Sequence, residues 1–104
     1  MKKFMISYFG GDHPSTPEEG KAHFQKYQEW LASINAYVIT AMAPLKNSRT
    51  VTSNNEIAEG SATKMSGYTV VQATTIDEAV ALTKNCPFLA INGTLEVAEM
   101  VEMS

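Results

Sequence analysis

The sequence predicts an α+β domain, an antiparallel sheet with two helices on one face. Three observations carry this. The elements follow the order strand, long helix, three strands, short helix, strand. Both helix starts carry one capping signature, Thr16-Pro17-Glu18-Glu19 and Thr75-Ile76-Asp77-Glu78. Several strands lack clean alternation, as in Tyr37-Val38-Ile39-Thr40-Ala41-Met42, so neither sheet face reads as fully solvated. At 104 residues and 44% hydrophobic content the chain has room for one domain, residues 1–104.

The elements follow in order. Lys3-Phe4-Met5-Ile6-Ser7-Tyr8-Phe9 is β-branched and aromatic and reads as a strand. Residues 10–15, Gly-Gly-Asp-His-Pro-Ser, form a loop by composition. Thr16 caps a helix with Pro17 in its first turn, running to about Ile34, with Asn35 as a left-handed stop. Residues 37–43 are a second strand ended by Pro44, and residues 48–53 a third. Residues 54–66 are polar with Gly60 and read as a loop; residues 67–74 are a fourth strand. A second helix runs from Thr75 to about Asn85, stopped by Pro87. Residues 94–103 are the last strand, with Leu95 and Val97 opposite Glu96.

Composition narrows the function. The net charge is −3 and the eight cations are scattered, so a nucleic-acid partner is not expected. No apolar run approaches the roughly 20 residues of a membrane span. The start, Met1-Lys2-Lys3-Phe4, lacks the apolar core of a signal peptide, and the expected location is the cytoplasm. The single cysteine, Cys86, allows no internal disulfide and reads as a small apolar filler. Gly10-Gly11 lacks the spacing of a phosphate loop. No metal or cofactor is expected: His13, His23 and Asp12 match no ligand spacing. Two helices cover one face of the sheet, so the other is expected to meet a second copy, giving a homodimer.

One histidine stands out. At 100° per residue His23, Tyr27, Trp30 and Ile34 share a narrow arc, flanked by Phe24 and Leu31, so His23 points toward the sheet. It is either a hydrogen-bonded residue that orients the helix or a general acid/base. A carboxylate would orient it and raise its basicity. The chain has two aspartates, and Asp12, in the loop before the helix, is the leading partner. Asp77 reads as a first-turn carboxylate favoured by the helix dipole. Asp12-His13-Pro14 is either solvated turn chemistry or a ligand contact, with His13 as the residue reaching the pocket. If a pocket exists beside His23, Tyr27 and Trp30 are its aromatic walls. Arg49 is expected to form a surface ion pair.

Several segments together resemble the YCII-related proteins. They are Lys3-Phe4-Met5-Ile6, the segment from Ala22 to Trp30, Ala43-Pro44-Leu45, Ser66 to Ala73 with Ile76-Asp77-Glu78-Ala79, and Asn85-Cys86-Pro87 with Gly93 to Val97. The resemblance spans nearly the whole chain. It implies a ferredoxin-like fold that dimerises into an α/β barrel, and a candidate active site built on a first-helix histidine paired with a carboxylate. The family's Asp-Gly-Pro-Phe motif is absent, and Asn54-Asn55-Glu56-Ile57 stands in its place.

Two functions follow. One is a cofactor-independent lyase or isomerase on a small aromatic or carboxylate-bearing metabolite, with His23 as acid/base and Asp12 as its orienter. The other is a non-catalytic dimer that binds a small molecule or a protein partner.

Overall fold

The computed structural model describes residues 1–103; Ser104, the last residue of the expected domain, lies outside them. The strands are β1 (Lys2–Gly10), β2 (Val38–Pro44), β3 (Arg49–Val51), β4 (Ile57–Glu59), β5 (Met65–Ala73) and β6 (Gly93–Glu99). The helices are α1 (Pro17–Ser33) and α2 (Ile76–Leu82), with 3₁₀ turns at Asn35–Tyr37 and Pro87–Ile91. The main sheet has the order β2-β5-β1-β6, every neighbouring pair antiparallel. This is the ferredoxin-like α+β fold, two β-α-β units with their strands interleaved.

The core lies between the sheet and the two helices. Period-2 alternation sends Phe4, Ile6 and Tyr8 of β1 to the helix side, where all three are fully buried. They meet Val71 and Ala73 of β5, Tyr27, Trp30 and Ile34 from α1 and its end, and Ala79 of α2. Trp30 Nε1 donates to Leu82 O at 3.0 Å, tying α1 to the end of α2. Cys86 fills the same core.

A hydroxyl chain crosses this core. Thr69 Oγ1 donates to Ala41 O, which commits its proton. Tyr8 must then donate to Thr69, and Tyr27 donates to Tyr8. The order follows because each hydroxyl has one proton to give.

Both threonine N-caps form, but neither capping box closes: Glu19 Oε2 accepts from Ser15 N and Glu78 Oε2 from the Thr74 hydroxyl rather than from the cap N–H. Thr16 and Thr75 accept from the backbone N–H of Glu19 and Glu78, each at 3.1 Å. Asp77 lies in the first turn of α2.

The ends differ from expectation. Asn35 is no left-handed stop: α1 tightens into a 3₁₀ turn, with Tyr37 N donating to Ile34 O at 2.8 Å, because buried Ile34 holds the chain against the core. α2 ends at Leu82, where the Thr83 hydroxyl donates back to Val80 O at 2.7 Å. β6 ends at Glu99, opposite Phe4, and the last bond is Met100 N to Lys3 O at 2.8 Å; beyond it β1 runs out.

The expected loop at 54–66 contains β4, which pairs with β3 as a hairpin. Asn55 takes the left-handed conformation, φ 63°, and donates its N–H to Thr52 O, closing the turn. Asn54-Asn55-Glu56-Ile57 forms this turn and the start of β4. Arg49 donates to the Asn47 and Ser48 carbonyls, which the turn before β3 puts within reach, and among the described residues no carboxylate forms the expected ion pair with it.

The other sheet face carries no helix. Met5, Ser7 and Phe9 of β1 lie there, half-buried, beside Val70 and Tyr68 of β5. The irregular pattern of β2 has a structural cause: its register with β5 shifts twice.

Two outcomes follow. Thr69→Val strips Tyr8 of its acceptor and should cost about 1–3 kcal/mol in urea unfolding. A loss within experimental error would remove the hydroxyl chain from the account of stability.

Burial pushes the Cys86 thiol from its ordinary 9.0 up to about 11, against a backbone hydrogen bond from Phe88 that lowers it. Burial also raises the Tyr8 and Tyr27 hydroxyls above 10.0. Each group binds its proton more tightly folded than unfolded. The stabilisation is therefore complete below about pH 9 and lost as pH climbs past it. Unfolding free energy should fall between pH 9 and 11, and fall less in Cys86→Ala.

Candidate functional site

The glycines after β1 shape the cleft. Gly10 and Gly11 have φ of +72° and +90°, a region that side chains rarely enter. A Cβ on Gly11 would come within 2.9 Å of the Phe88 ring, and one on Gly93 within 2.2 Å. Phe88 is thus wedged between the loop after β1 and the start of β6. Its ring also stands edge-on to Tyr8, centroids 5.3 Å apart.

With the loop held there, Asp12 N donates to Ile91 O at 2.7 Å. Asn92 Nδ2 donates to Asp12 Oδ2 at 2.6 Å. Asn92 is left-handed, φ 63°, and turns the chain from the Pro87–Ile91 turn into β6.

A cleft of about 450 Å³ opens between this loop, the first two turns of α1 and the end of the Pro87–Ile91 turn. Asp12, His13, Glu19 and His23 supply its titratable groups. Phe24, Pro14, Ala90 and Ile91 supply apolar surface, with Ser15 and Gly20 completing the lining. Glu19 Oε2 accepts from Ser15 N at 2.8 Å, so one of its oxygens is already engaged.

The structure thus brings three of the sequence-derived site residues, Asp12, His13 and His23, to one cleft. Among the described residues no hydrogen bond and no ion pair within 4.0 Å joins Asp12 to His23. Both belong to the lining of the cleft.

His23 is half-buried on α1, its ring 6.4 Å from that of Tyr27 and tilted by 42°. Tyr27 and Trp30 lie in the core rather than on the cleft wall, at 7% and 4% exposure. They sit one and two turns farther along α1, where the helix is already packed on the sheet. Phe24, at 61% exposure, is the aromatic surface of the cleft.

Sequence reading missed Asn92 and Ile91. The available signal was Asn92-Gly93, a dipeptide that marks a turn. Among the described residues, no group of three or more His, Cys, Asp or Glu is placed to hold a metal ion. No described helix is long and apolar enough to cross a membrane.

No family model matches the chain, and no curated protein matches it in sequence. Its fold is matched by a solved structure, 5-chloro-2-hydroxyhydroquinone dehydrochlorinase from Burkholderia phenoliruptrix in complex with 2,5-dihydroxybenzoquinone. The TM-score is 0.59 and the identity 16%, over 97% of this chain and 95% of that one. At this identity the likeness shows the fold alone.

Proposed function

We propose that this protein is a small YCII-related enzyme of the cofactor-independent lyase or isomerase type. It moves a proton on a small cyclic metabolite bound in the cleft beside His23. The carrying observation is that His23 and Asp12 line one cleft.

Imidazole suits proton transfer near neutral pH. In this reading His23 is the acid/base, and Asp12 orients the substrate or, across it, the imidazole. Phe24 offers a ring face for stacking, and His13 closes the loop side. No lysine or arginine is among the described lining residues, while two carboxylates are. That balance favours an uncharged hydroxylated ring over a carboxylate or phosphate.

The fold neighbour supports this reading. A dehydrochlorinase eliminates hydrogen chloride, which requires a proton acceptor, and its complex holds a dihydroxylated ring.

One observation favours a non-catalytic binding module instead: the Asp12 carboxylate is bonded to Asn92, not to His23. His23→Ala separates the two, with substituted hydroquinones as probes. The enzyme reading expects an unchanged melting temperature and turnover reduced about 10²–10⁴-fold. Binding without turnover in the wild type would establish the module. A variant that unfolds would make His23 a structural residue.

The helix-free sheet face, with Met5, Phe9, Val70 and Tyr68, is in this reading the surface on which a second copy packs. Light scattering on a sizing column should give twice the chain mass for the wild type and one chain mass for Met5→Glu, which alters a half-buried residue of that face. A monomeric wild type would end the dimer proposal.

A further inference from the structure

We propose that Asn92 is a positioning residue for Asp12. Its carboxamide holds one carboxylate oxygen and leaves the other turned to the cleft. The inference rests on the reading of His23 and Asp12 given above, and adds to it the residue that sets their geometry.

Asn92 and Asp12 are 80 residues apart, and two bonds join their segments. The backbone bond is Asp12 N to Ile91 O at 2.7 Å. The side-chain bond is Asn92 Nδ2 to Asp12 Oδ2 at 2.6 Å. The first fixes the position of the Asp12 backbone. The second fixes the rotation of its carboxylate, which the backbone cannot do.

The backbone at Asn92 does not by itself require asparagine. Its φ of 63° suits glycine at least as well, and the residue's own N–H already donates to Phe88 O to close the turn. What asparagine adds is an amide that reaches Asp12. Asp12 is solvent-exposed, so this bond contributes little to stability. Its consequence is directional. A carboxylate accepts on two oxygens, and a donor fixed on Oδ2 presents Oδ1 in one orientation.

The titratable groups sharing the cleft with Asp12 are His13 on its own loop and Glu19 and His23 on α1. Ala90 and Ile91, from the Pro87–Ile91 turn, add none. Glu19 is bonded to Ser15 N in the same one-sided way. Each carboxylate of the cleft thus has one oxygen tied to a protein donor.

The test reads His23 directly and needs no substrate. Diethyl pyrocarbonate carbethoxylates imidazoles, and peptide mass spectrometry resolves His23 from His13. Rate constants at His23 are compared for the wild type, Asp12→Asn, Asn92→Gly, Asn92→Asp and the Asp12→Asn/Asn92→Gly double variant.

Asn92→Gly keeps the left-handed backbone and removes the amide. Asn92→Asp keeps the shape and replaces the donor with an acceptor. The expected result is that Asp12→Asn and both Asn92 variants move the rate by at least about twofold in one direction, the lower end of coupling between contacting residues. The double variant goes no further than Asp12→Asn alone, and melting temperatures stay within about 2 °C of wild type.

If Asp12→Asn moves the rate and Asn92→Gly does not, the positioning inference falls and the site reading stands. If Asp12→Asn leaves the rate unchanged, the site reading falls and takes the inference with it. If both Asn92 variants lower the melting temperature by more than about 5 °C, Asn92 is a structural residue and the inference is overturned.

Discussion

The seat of Phe88 is the constraint on which the cleft depends. Its ring occupies space that a Cβ on either Gly11 or Gly93 would claim, so both neighbours have to be glycine. Edge-on contact with Tyr8 then locks the wedge to β1. From there geometry propagates outward. The Gly10–Gly11 loop is held beside the Pro87–Ile91 turn, Asp12 bonds to Ile91 and Asn92, and the cleft opens toward α1. Close packing lets one ring govern a segment five residues long, since interiors leave few alternative arrangements.

Beneath the cleft, a second device fixes α1. Tyr27 donates a hydrogen bond to Tyr8, Tyr8 to Thr69 and Thr69 to Ala41 O, joining the helix to three strand segments of the core. A buried polar group without a partner is costly, so such a chain is stable only in one register. Tyr27 also carries the contact to His23. The candidate acid/base therefore sits one helical turn from this hydroxyl network. Its own ring reaches the cleft because it lies earlier on α1, where the helix has not yet closed on the sheet.

The fold is shared with an enzyme that eliminates hydrogen chloride, yet at 16% identity only the chain path is shared knowledge. Fold does not imply function, and the chemistry has to be argued from the side chains. Here those side chains are two imidazoles and two carboxylates around an apolar wall, without an arginine or lysine among the described lining. The proposal of proton transfer on a ring rests on that lining and not on the shared fold. The β3–β4 hairpin, whose Val51 and Ile57 are 64% and 73% exposed, contributes no residue to the described cleft lining.

Much of the scaffold was legible in the sequence because its determinants are local. Thr16 and Thr75 with their partners three residues on mark both helix starts, and alternation in Phe4, Ile6 and Tyr8 marks the buried side of β1. The same stripe that places Tyr27, Trp30 and Ile34 in the core also marked His23 as its outlying member. Helix ends were less legible, since Ile34 and Thr83 finish their helices through packing and a back-bonded hydroxyl. The short strand β4 escaped because three residues carry no period. Sequence alone was enough for the order of the four main-sheet strands and two helices, the threonine caps and the candidate residues Asp12, His13 and His23. Only the tertiary structure decided that these three share a cleft, that Tyr27 and Trp30 do not line it, and that Asn92 holds Asp12. The physical reason is distance along the chain: Gly11, Phe88 and Asn92 meet only once the strand order β2-β5-β1-β6 has brought β1 and β6 side by side.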